Sequence, residues 1–493
     1  TMTIKQLSFW LCLVSAGACS PVLVAQTIPT EVDVVVVGAG GAGLSAATTL
    51  AQGGKSVVVL EKMPSIGGNT LRAGGFFNAV DPEHEPLSDT KDSEERYFEQ
   101  MMASGGGENS PEVVRALAHY AYPTMKWLES LGMQFHETTV AVWGAEWPRG
   151  HKSKESRGQG YIRVLSGELL KRGGQIFTNQ TVVGLMTNSQ GRVTGVETTS
   201  TREKKQPTTI RAREAVVLAA GGFSSNPMMI KEYAPQWANL TTDNNPGNTG
   251  DLLPLAQGVG AQLVGLNNVQ VVPGRPMGQT FQVRLDLDIS RSILVDGEGK
   301  HVIDEDAPRN QLAKAVMERE ESGVYTLTDQ ATVNTFDAVS KRDVYRGLET
   351  GAALRAMTLS ELARRMKMNE EELKRAVDEF NRSVKEKTGK CARLPCHPIE
   401  VPPFWAAPVV MSIHSTLGGV KINEFGEVLD KQNLPIPGLF AAGEVTGNVH
   451  GENRLGGNGI ADAITFGRIA GTRILSLTPK TLDSQRVSTD ISQ

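Results

Sequence analysis

The 493-residue sequence has little of several residue types, and each shortage excludes a class of protein. Lysine and arginine total 50 against 54 aspartates and glutamates, so the chain lacks the basic excess of nucleic-acid-binding proteins. No Cys-x-x-Cys-His stretch occurs, which excludes a covalently attached haem of that type within these residues. With 40% hydrophobic residues, the chain is expected to bury a substantial core divided between two or three domains.

Long apolar runs are equally scarce. The one example covers residues 7–24 and is interrupted by Gly17 and Pro21. A single positive charge precedes this run and Ala25 offers a small residue for cleavage, so we interpret residues 1–25 as a secretory signal peptide. A membrane anchor and a lipoprotein signal ending at Cys19 are less favoured alternatives. Since no second hydrophobic span follows, we expect a periplasmic protein with no transmembrane span after signal removal.

Cysteine is also rare, with four residues in the chain. Two of them lie in the predicted signal, which leaves Cys391 and Cys396. In an oxidising compartment this pair could close a small disulfide loop, and two free thiols are an equal alternative. Because no haem is predicted, any electrons that the protein uses must come from another protein.

What the sequence does contain is a dinucleotide-binding pattern near its start. Residues 33–62 read as an apolar strand at 34–37, a glycine turn, an alanine-rich helix and a second strand at 57–60. Gly38 permits the tight turn, Gly40 lets the backbone approach a pyrophosphate, and Gly43 lets the helix pack on the strand. The helix N-terminus then faces the phosphates, and Glu61 is placed to accept hydrogen bonds from a ribose.

Further glycine-bearing segments, hundreds of residues apart, favour FAD over NAD as the dinucleotide. They lie at residues 65–75, at Gly221, at Gly443 and at 456–459, where a helix is predicted over 460–474. The start of that helix would offer its positive end to the N1/O2 edge of a flavin. The residues predicted to contact the cofactor are Gly38, Gly40, Gly43, Glu61, Lys62, Gly68, Asn69, Thr70, Ala73, Gly74, Gly75, Val183, Ala220, Gly221, Asp251, Gly443, Glu444, Arg454, Gly457, Asn458, Gly459 and Ile460.

Four stretches also carry a family resemblance. VVVVGAGGAGLSAA (34–47), GGNTLRAGG (67–75), HSTLGGV (414–420) and AAGEVTGNVHGENRLGGNGIADAITFGRIAG (441–471) resemble the flavoprotein subunit of the fumarate reductase and succinate dehydrogenase family. The exported single-subunit branch, which includes soluble fumarate and urocanate reductases, is the most similar. The resemblance implies an α/β fold in which a Rossmann-like FAD-binding domain (26–244 and 352–478) is interrupted by a smaller α+β capping domain (245–351). Residues 479–493 would form a tail.

The resemblance also implies a chemistry. Reducing a carbon–carbon double bond beside a carboxylate needs a hydride, here from flavin N5, a proton, and positive groups that hold the carboxylate. Arg454 suits the last role because a guanidinium can bind a carboxylate with two hydrogen bonds, and His414 matches the family's second carboxylate partner. Arg309 matches the family's proton donor on the cap. The alternative for Arg309 is an exposed residue paired with Asp304 or Glu305.

The sequence departs from fumarate reductases where the substrate's far end would lie. A histidine of that group is replaced by Val272, a Thr-Glu pair by Arg284-Leu285, and an arginine by Asp288. An apolar wall beside aspartate favours a substrate whose far end is not an anion. Asp286 is expected either to contact an imidazole or to be an exposed strand residue, and Arg284 could instead restore a grip on a second carboxylate.

These features predict an exported FAD-dependent oxidoreductase that acts on CH–CH groups in anaerobic respiration. The preferred substrate is an unsaturated monocarboxylate such as urocanate or an aryl acrylate, and fumarate is the second choice. The expected electron donor is a c-type cytochrome or a membrane quinol dehydrogenase. A steroid-type FAD dehydrogenase and a non-catalytic flavin carrier remain alternatives, and neither a metal site nor a nucleic-acid partner is predicted.

Overall fold

The structure is a computed structural model that describes residues 27–83, 91–275 and 279–477. The predicted signal peptide and C-terminal tail lie outside these described residues. Within them, no helix combines the length and the apolar character that a membrane crossing requires.

Strands and helices are interspersed along the chain, as expected of a mixed α/β fold. The strands are β1 Glu31–Val37, β2 Val57–Glu61, β3 Phe76–Asn78, β4 Phe135–Val140, β5 Gly150–Ser153, β6 Gln175–Thr178, β7 Gln180–Thr187, β8 Val193–Ser200, β9 Thr208–Leu218, β10 Leu263–Val264, β11 Val269–Pro273, β12 Ile293–Asp296, β13 Val324–Asp329, β14 Leu354–Ala356, β15 Phe404–Pro408, β16 Met411–Thr416, β17 Gly419–Val420, β18 Glu427–Leu429 and β19 Pro435–Ala441. The helices are α1 Gly41–Gln52, α2 Glu94–Ser104, α3 Pro111–Ser130, α4 Gln159–Lys171, α5 Pro227–Tyr233, α6 Leu252–Gly258, α7 Arg309–Met317, α8 Gln330–Asn334, α9 Ala338–Thr350, α10 Leu359–Met366, α11 Glu370–Glu386 and α12 Asn458–Leu477.

The largest sheet is built around the predicted nucleotide motif. Its strands follow the order β18–β19–β9–β1–β2–β6, and β19, β9, β1, β2 and β6 are parallel to one another. Side chains of β1 and β2 are almost entirely buried, which is typical of parallel strands covered on both faces. The predicted strands at 34–37 and 57–60 and the predicted helix at 460–474 are confirmed, each with one or more extra residues at its ends.

Helices α1 and α12 cover this sheet and pack against each other, although one lies near the start and the other at the end of the described chain. Small residues permit their close approach: a Cβ at Gly467 would lie 2.3 Å from the Ala42 carbonyl oxygen. The Ser45 hydroxyl donates a hydrogen bond to the Ile464 carbonyl at 2.6 Å. As a result, the glycine turn before α1 and the glycine pair before α12 face the same cleft.

A second, smaller unit is formed by an antiparallel sheet with the order β12–β13–β15–β14 and by helices α10 and α11 packed against it. The hydroxyl of Thr358 and the amide of Asn369 cap these helices by accepting from the backbone nitrogens of Glu361 and Glu372, each at 3.1 Å. The sheet contains strands from both sides of residue 351, the predicted end of the capping domain. The domain limits stay a prediction, and this pairing favours a cap that continues to Pro408.

Strand β11 connects the two units near the cleft. It pairs antiparallel with β16, so that Val272 lies opposite Ser412, two residues from His414. On the smaller unit, Cys391 and Cys396 form a disulfide, the first of the two states left open by the sequence.

Candidate active site

A deep cleft runs along the carboxyl ends of the parallel strands and under the smaller unit. Open α/β sheets place their ligands at this edge. The predicted cofactor contacts that line the cleft are Gly38, Gly40, Glu61, Lys62, Gly68, Asn69, Thr70, Ala73, Gly74, Gly75, Ala220, Gly221, Asp251, Gly443, Glu444, Arg454, Gly457, Gly459 and Ile460.

The turn between β1 and α1 has the geometry that a dinucleotide needs. Gly38 has a φ of +107°, and a Cβ there would lie 2.3 Å from the Ala219 carbonyl oxygen, so only glycine fits. Gly40 and Gly41 at the start of α1 line the cleft, so the positive end of the helix is directed at it, and the Gly41 nitrogen donates to Thr70 Oγ1 at 3.0 Å. The Glu61 carboxylate is held at the end of β2 by the backbone nitrogens of Ala39 and Met63, at 2.9 and 2.8 Å.

Three predicted cofactor residues lie elsewhere. Val183 is 40% exposed and outside the cleft, whereas its neighbour Val182 lines the cleft, because successive side chains of a strand point to opposite faces. The side-chain oxygen of Asn458 accepts from Asn78 Nδ2 and Tyr97 Oη, at 2.7 and 2.6 Å, instead of facing the cleft. Gly43 packs against β1, the role predicted for it: a Cβ there would lie 1.8 Å from the Gly38 carbonyl oxygen.

Polar groups on the cleft wall fit a flavin dinucleotide. Asn248 is 4% exposed, and its side-chain oxygen has no hydrogen-bond partner among the described residues, so it can accept from a bound group. The Glu444 carboxylate accepts from Asn69 Nδ2 at 3.3 Å and from the Thr416 backbone nitrogen at 3.0 Å, which fixes the loop after β19. With the starts of α1 and α12, which lie at the cleft, these residues can hold the phosphates, ribose and ring of FAD.

At one end of the cleft, positive charge is concentrated. Arg284, Arg309, Arg454 and His414 all line this end, and each comes from a different segment of the chain. The three guanidinium groups lie near enough to perturb one another or His414 electrostatically. This arrangement can bind an anion such as a carboxylate.

Arg309 begins helix α7 and is 7% exposed. Its Nε donates to the Trp143 carbonyl at 2.9 Å, and its Nη1 donates to Gln270 Oε1 at 3.0 Å. The alternative of an exposed residue paired with Asp304 or Glu305 is therefore wrong. Burial, together with the neighbouring charges of Arg454 and Arg284, lowers the pKa of the Arg309 guanidinium well below its usual range.

The guanidinium of Arg454 and the ring of His414 have no hydrogen-bond or ion-pair partner within the described part of the chain. Arg454 is 6% exposed, and burial lowers its pKa, although Glu444 and Asp462 act in the opposite direction. Burial and the nearby arginines hold the pKa of His414 well below its usual value. His414 is thus a neutral imidazole that can donate one hydrogen bond, and Arg454 supplies the charge.

The residues predicted to meet the far end of the substrate form an ion pair against an apolar wall. Arg284 Nε and Nη2 donate to the two Asp286 oxygens at 2.6 and 2.8 Å, and Arg284 Nη1 donates to the Pro273 carbonyl at 2.8 Å. Asp286 is 3% exposed, so the alternative of an exposed strand residue is wrong. Val272 is also buried and lines the cleft beside this pair.

Sequence reasoning missed several contributors to the site. Gln270 donates to the Arg454 carbonyl at 3.0 Å while it accepts from Arg309, so it connects the two arginines. His450 Nε2 bonds Asp462 Oδ2 at 2.9 Å on the cleft wall. His450 and Asp462 lie twelve residues apart in the C-terminal motif quoted above, and their place in that motif was the available sequence signal. The contact of Arg309 with the Trp143 carbonyl has no sequence signal, because every residue has a backbone carbonyl.

Comparison with known proteins agrees with this geometry. A family model described as an FAD binding domain matches residues 33–460. The chain is 32% identical to NADH:acrylate oxidoreductase from Vibrio harveyi, over 90% of this chain and 50% of the relative, so it spans about half the length of that protein. It is 33% identical to urocanate reductase from Eggerthella lenta, over 92% of this chain and 76% of the relative.

A solved structure, the open conformation of a flavocytochrome c3 fumarate reductase, superposes with a TM-score of 0.68 at 31% identity, over 90% of this chain and 78% of that one. The family model, the relatives and the solved structure all indicate an FAD-binding oxidoreductase fold. The chain therefore belongs to the FAD-binding oxidoreductase family that includes the single-subunit fumarate reductases, and its cofactor is FAD.

Proposed function

We propose that this protein reduces the carbon–carbon double bond of a small α,β-unsaturated carboxylate. The observation that carries the proposal is the set of buried basic side chains at one end of the FAD cleft, where Arg454 and His414 have no partner among the described residues and Arg309 lies beside them. An unpaired buried guanidinium is costly unless it has a ligand, and a carboxylate satisfies its planar pair of donors. The similarity to acrylate and urocanate reductases supports the same chemistry.

Bound FAD, once reduced by the external electron donor, would supply the hydride for this reaction. Arg454 would bind the substrate carboxylate, with His414 as a neutral donor on the same group, and their position would orient the double bond. Arg309 would give a proton to the second carbon. Its lowered pKa makes a guanidinium a usable acid, and its bonds to Trp143 and Gln270 hold it in place.

The preferred substrate is a monocarboxylate whose far end is neutral. Arg284 is already bound to Asp286 through two hydrogen bonds, so neither group is free to receive an anion or an imidazolium. Val272 adds an apolar surface beside them. Acrylates with a hydrogen, alkyl or aryl tail fit this wall best, and urocanate fits in its neutral form.

Fumarate is the second candidate, and one observation favours it. Arg284 lies in the same cleft, and its charge reaches both Arg309 and His414. If a dicarboxylate displaced Asp286 from this guanidinium, Arg284 would hold the second carboxylate. The cost of separating a buried ion pair makes this the weaker candidate.

We also propose a location in the cell and an electron donor for this protein. We place the protein in the periplasm, on the basis of the apolar run at residues 7–24. There it would receive electrons from a c-type cytochrome or a membrane quinol dehydrogenase and pass them to the unsaturated acid in anaerobic respiration.

Reoxidation of the dithionite-reduced protein tests the function directly. Fumarate, urocanate, cinnamate, acrylate and methacrylate are mixed with the reduced protein under anaerobic conditions, and flavin absorbance is followed against buffer alone. We expect one or more monocarboxylates to reoxidise the flavin fastest. If none of the acids exceeds buffer, the proposal fails. If Arg454→Met leaves the reoxidation rate unchanged, no carboxylate is bound by Arg454, which would favour a steroid-type dehydrogenase. If Arg309→Lys leaves the rate unchanged, Arg309 donates no proton, which would favour a flavin carrier.

A further inference from the structure

Two ion pairs of the smaller unit hold the segment that leads into Arg309. Glu305 and Asp306 lie four and three residues before Arg309, and they are 1% and 4% exposed. Glu305 Oε2 accepts from Lys390 Nζ at 2.5 Å, and Asp306 Oδ2 accepts from Arg393 Nε at 3.1 Å and also from Arg393 Nη2. Neither acid serves the cleft, so both are available to fix the backbone.

The Glu305 site is built into the cap on several sides. Its second oxygen accepts from the Leu294 backbone nitrogen at 2.6 Å and faces His301 Nε2 at 3.1 Å. Lys390 Nζ also donates to the Ser292 carbonyl at 2.5 Å and is 3% exposed. A buried carboxylate with this many donors has one well-defined position.

Both cations come from one short segment, and that segment is closed by the disulfide. Lys390 directly precedes Cys391, and Arg393 lies between Cys391 and Cys396. The segment also joins two cores: Cys391 packs with Ile293 in the core of the smaller unit, and Leu394 belongs to the same apolar cluster as Leu312 of α7. The disulfide therefore limits the positions that both cations can take.

We propose that Lys390, Arg393 and the Cys391–Cys396 disulfide are positioning residues that hold Arg309 in its proton-donating place through Glu305 and Asp306. This inference rests on the proposed function, since it concerns the same proton transfer. Glu305 lies four positions before Arg309, so a displacement of one reaches the other along a short backbone. Proton transfer is sensitive to such shifts, and a misplacement of about 1 Å can lower a rate by about a hundredfold.

The test uses the FAD-loaded full-length protein. Lys390→Met alone would leave Glu305 as an unpaired buried charge and endanger folding, so the main variant combines Lys390→Met with Glu305→Gln. Cys391→Ser with Cys396→Ser removes the disulfide, and Arg393→Gln is combined with Asp306→Asn for the same reason, because Asp306 is buried. The matched control combines Lys374→Met with Glu370→Gln, an exposed lysine–glutamate pair at 2.6 Å on α11 of the same unit.

We expect kcat to fall about tenfold or more in the main variant and to fall less in the other two. KM should change little, because Arg454 and His414 are unchanged. The solvent isotope effect on kcat should rise, since proton transfer becomes slower. Hydrogen exchange of residues 304–317 should increase in the three variants and stay unchanged in the control. In an Arg309→Lys background, the same substitutions should have no further effect on kcat.

The outcomes separate this inference from the function on which it rests. If the wild type reduces none of the acids, the proposed function fails and this inference falls with it. If the wild type is active and the main variant loses thermal stability but keeps the wild-type kcat and isotope effect, the two ion pairs are only structural and the positioning role is wrong. The same conclusion follows if the losses in the Arg309→Lys background are as large as in the wild type.

Discussion

In our proposal Arg454 binds the carboxylate of the substrate, and its substitution gives the first prediction. Arg454→Met removes two charge-assisted hydrogen bonds, each worth about 1.5–3 kcal/mol. We expect kcat/KM for the best acid to fall by about two orders of magnitude or more. Steady-state kinetics with FAD content matched between samples measure this effect. Arg375→Met is the control, because Arg375 is an exposed residue paired with Glu372 and should behave as wild type.

Asp286 sets the charge at the far end of the cleft, and its substitution gives a prediction about specificity. Asp286→Asn frees the Arg284 guanidinium, which then offers donors to a second carboxylate. We expect the ratio of kcat/KM for fumarate to that for acrylate to rise by about tenfold or more, about 1.4 kcal/mol.

The specificity prediction has a matched control on another buried ion pair. Asp343 is as buried as Asp286 but does not line the cleft, and Asp343→Asn removes its pairs with Arg157 at 3.4 Å and with Arg342 at 2.9 Å. It should leave the fumarate-to-acrylate ratio at the wild-type value. An unchanged ratio in Asp286→Asn would mean that Arg284 does not reach the substrate.

At the scale of elements, the contact between β1 and α1 determines whether FAD can bind. A methyl group at Gly43 would lie 1.8 Å from the Gly38 carbonyl oxygen, which is backbone and cannot turn aside. Gly43→Ala should therefore push the helix from the strand, lower the thermal unfolding temperature by several degrees and release FAD. Gly167→Ala lies within helix α4 with open space around it, so it should be neutral or stabilising by about 0.5–1 kcal/mol.

The elements also show what the sequence can and cannot predict. Strands β1 and β2 and helix α12 were predictable because their apolar runs and glycines act locally. Val183 was predicted to contact the cofactor, but the neighbouring strand position is the one that faces the cleft. Successive side chains of a strand point to opposite faces, so an error of one position changes the face. The Trp143 contact with Arg309 spans 166 residues and uses a carbonyl, and the Lys390 contact with Glu305 spans 85 residues, so neither leaves a local pattern.

At the scale of the whole molecule, an apolar cluster and several polar contacts connect the elements that surround the cleft. Arg309, at the start of α7, donates to the Trp143 carbonyl beside the large sheet's cleft. Lys152 of β5 pairs with Asp337, which caps α9, at 3.0 Å. Buried polar contacts of this kind fix a unique arrangement, and they make the arrangement sensitive to the charge of their carboxylates.

Acid stability follows from two of these carboxylates. Burial alone would raise the pKa of Glu305, but Lys390 and His301 lower it from 4.5 to about 2. Burial opposes the change at Asp337 as well, where Lys152 and Ser340 lower the pKa from 3.8 to about 2. Because both folded values lie below the unfolded ones, this stability is complete above about pH 4.5 and is lost as the pH falls towards 2. Each group contributes about 2–3 kcal/mol.

We therefore expect these two groups to have little effect on the pH dependence of the unfolding temperature between about pH 5 and 8. Below about pH 4.5 their protonation should make the unfolding temperature fall steeply. Glu305→Gln and Asp337→Asn should each be less stable at neutral pH, and each should show a shallower decline in acid, because a neutral amide gains nothing from deprotonation. Glu371→Gln alters an exposed residue and should follow the wild-type curve. Thermal unfolding of the four proteins from pH 8 to pH 2.5 measures the slopes. A Glu305→Gln curve parallel to that of the wild type would contradict the assignment, because the slope reports the proton that Glu305 takes up on unfolding.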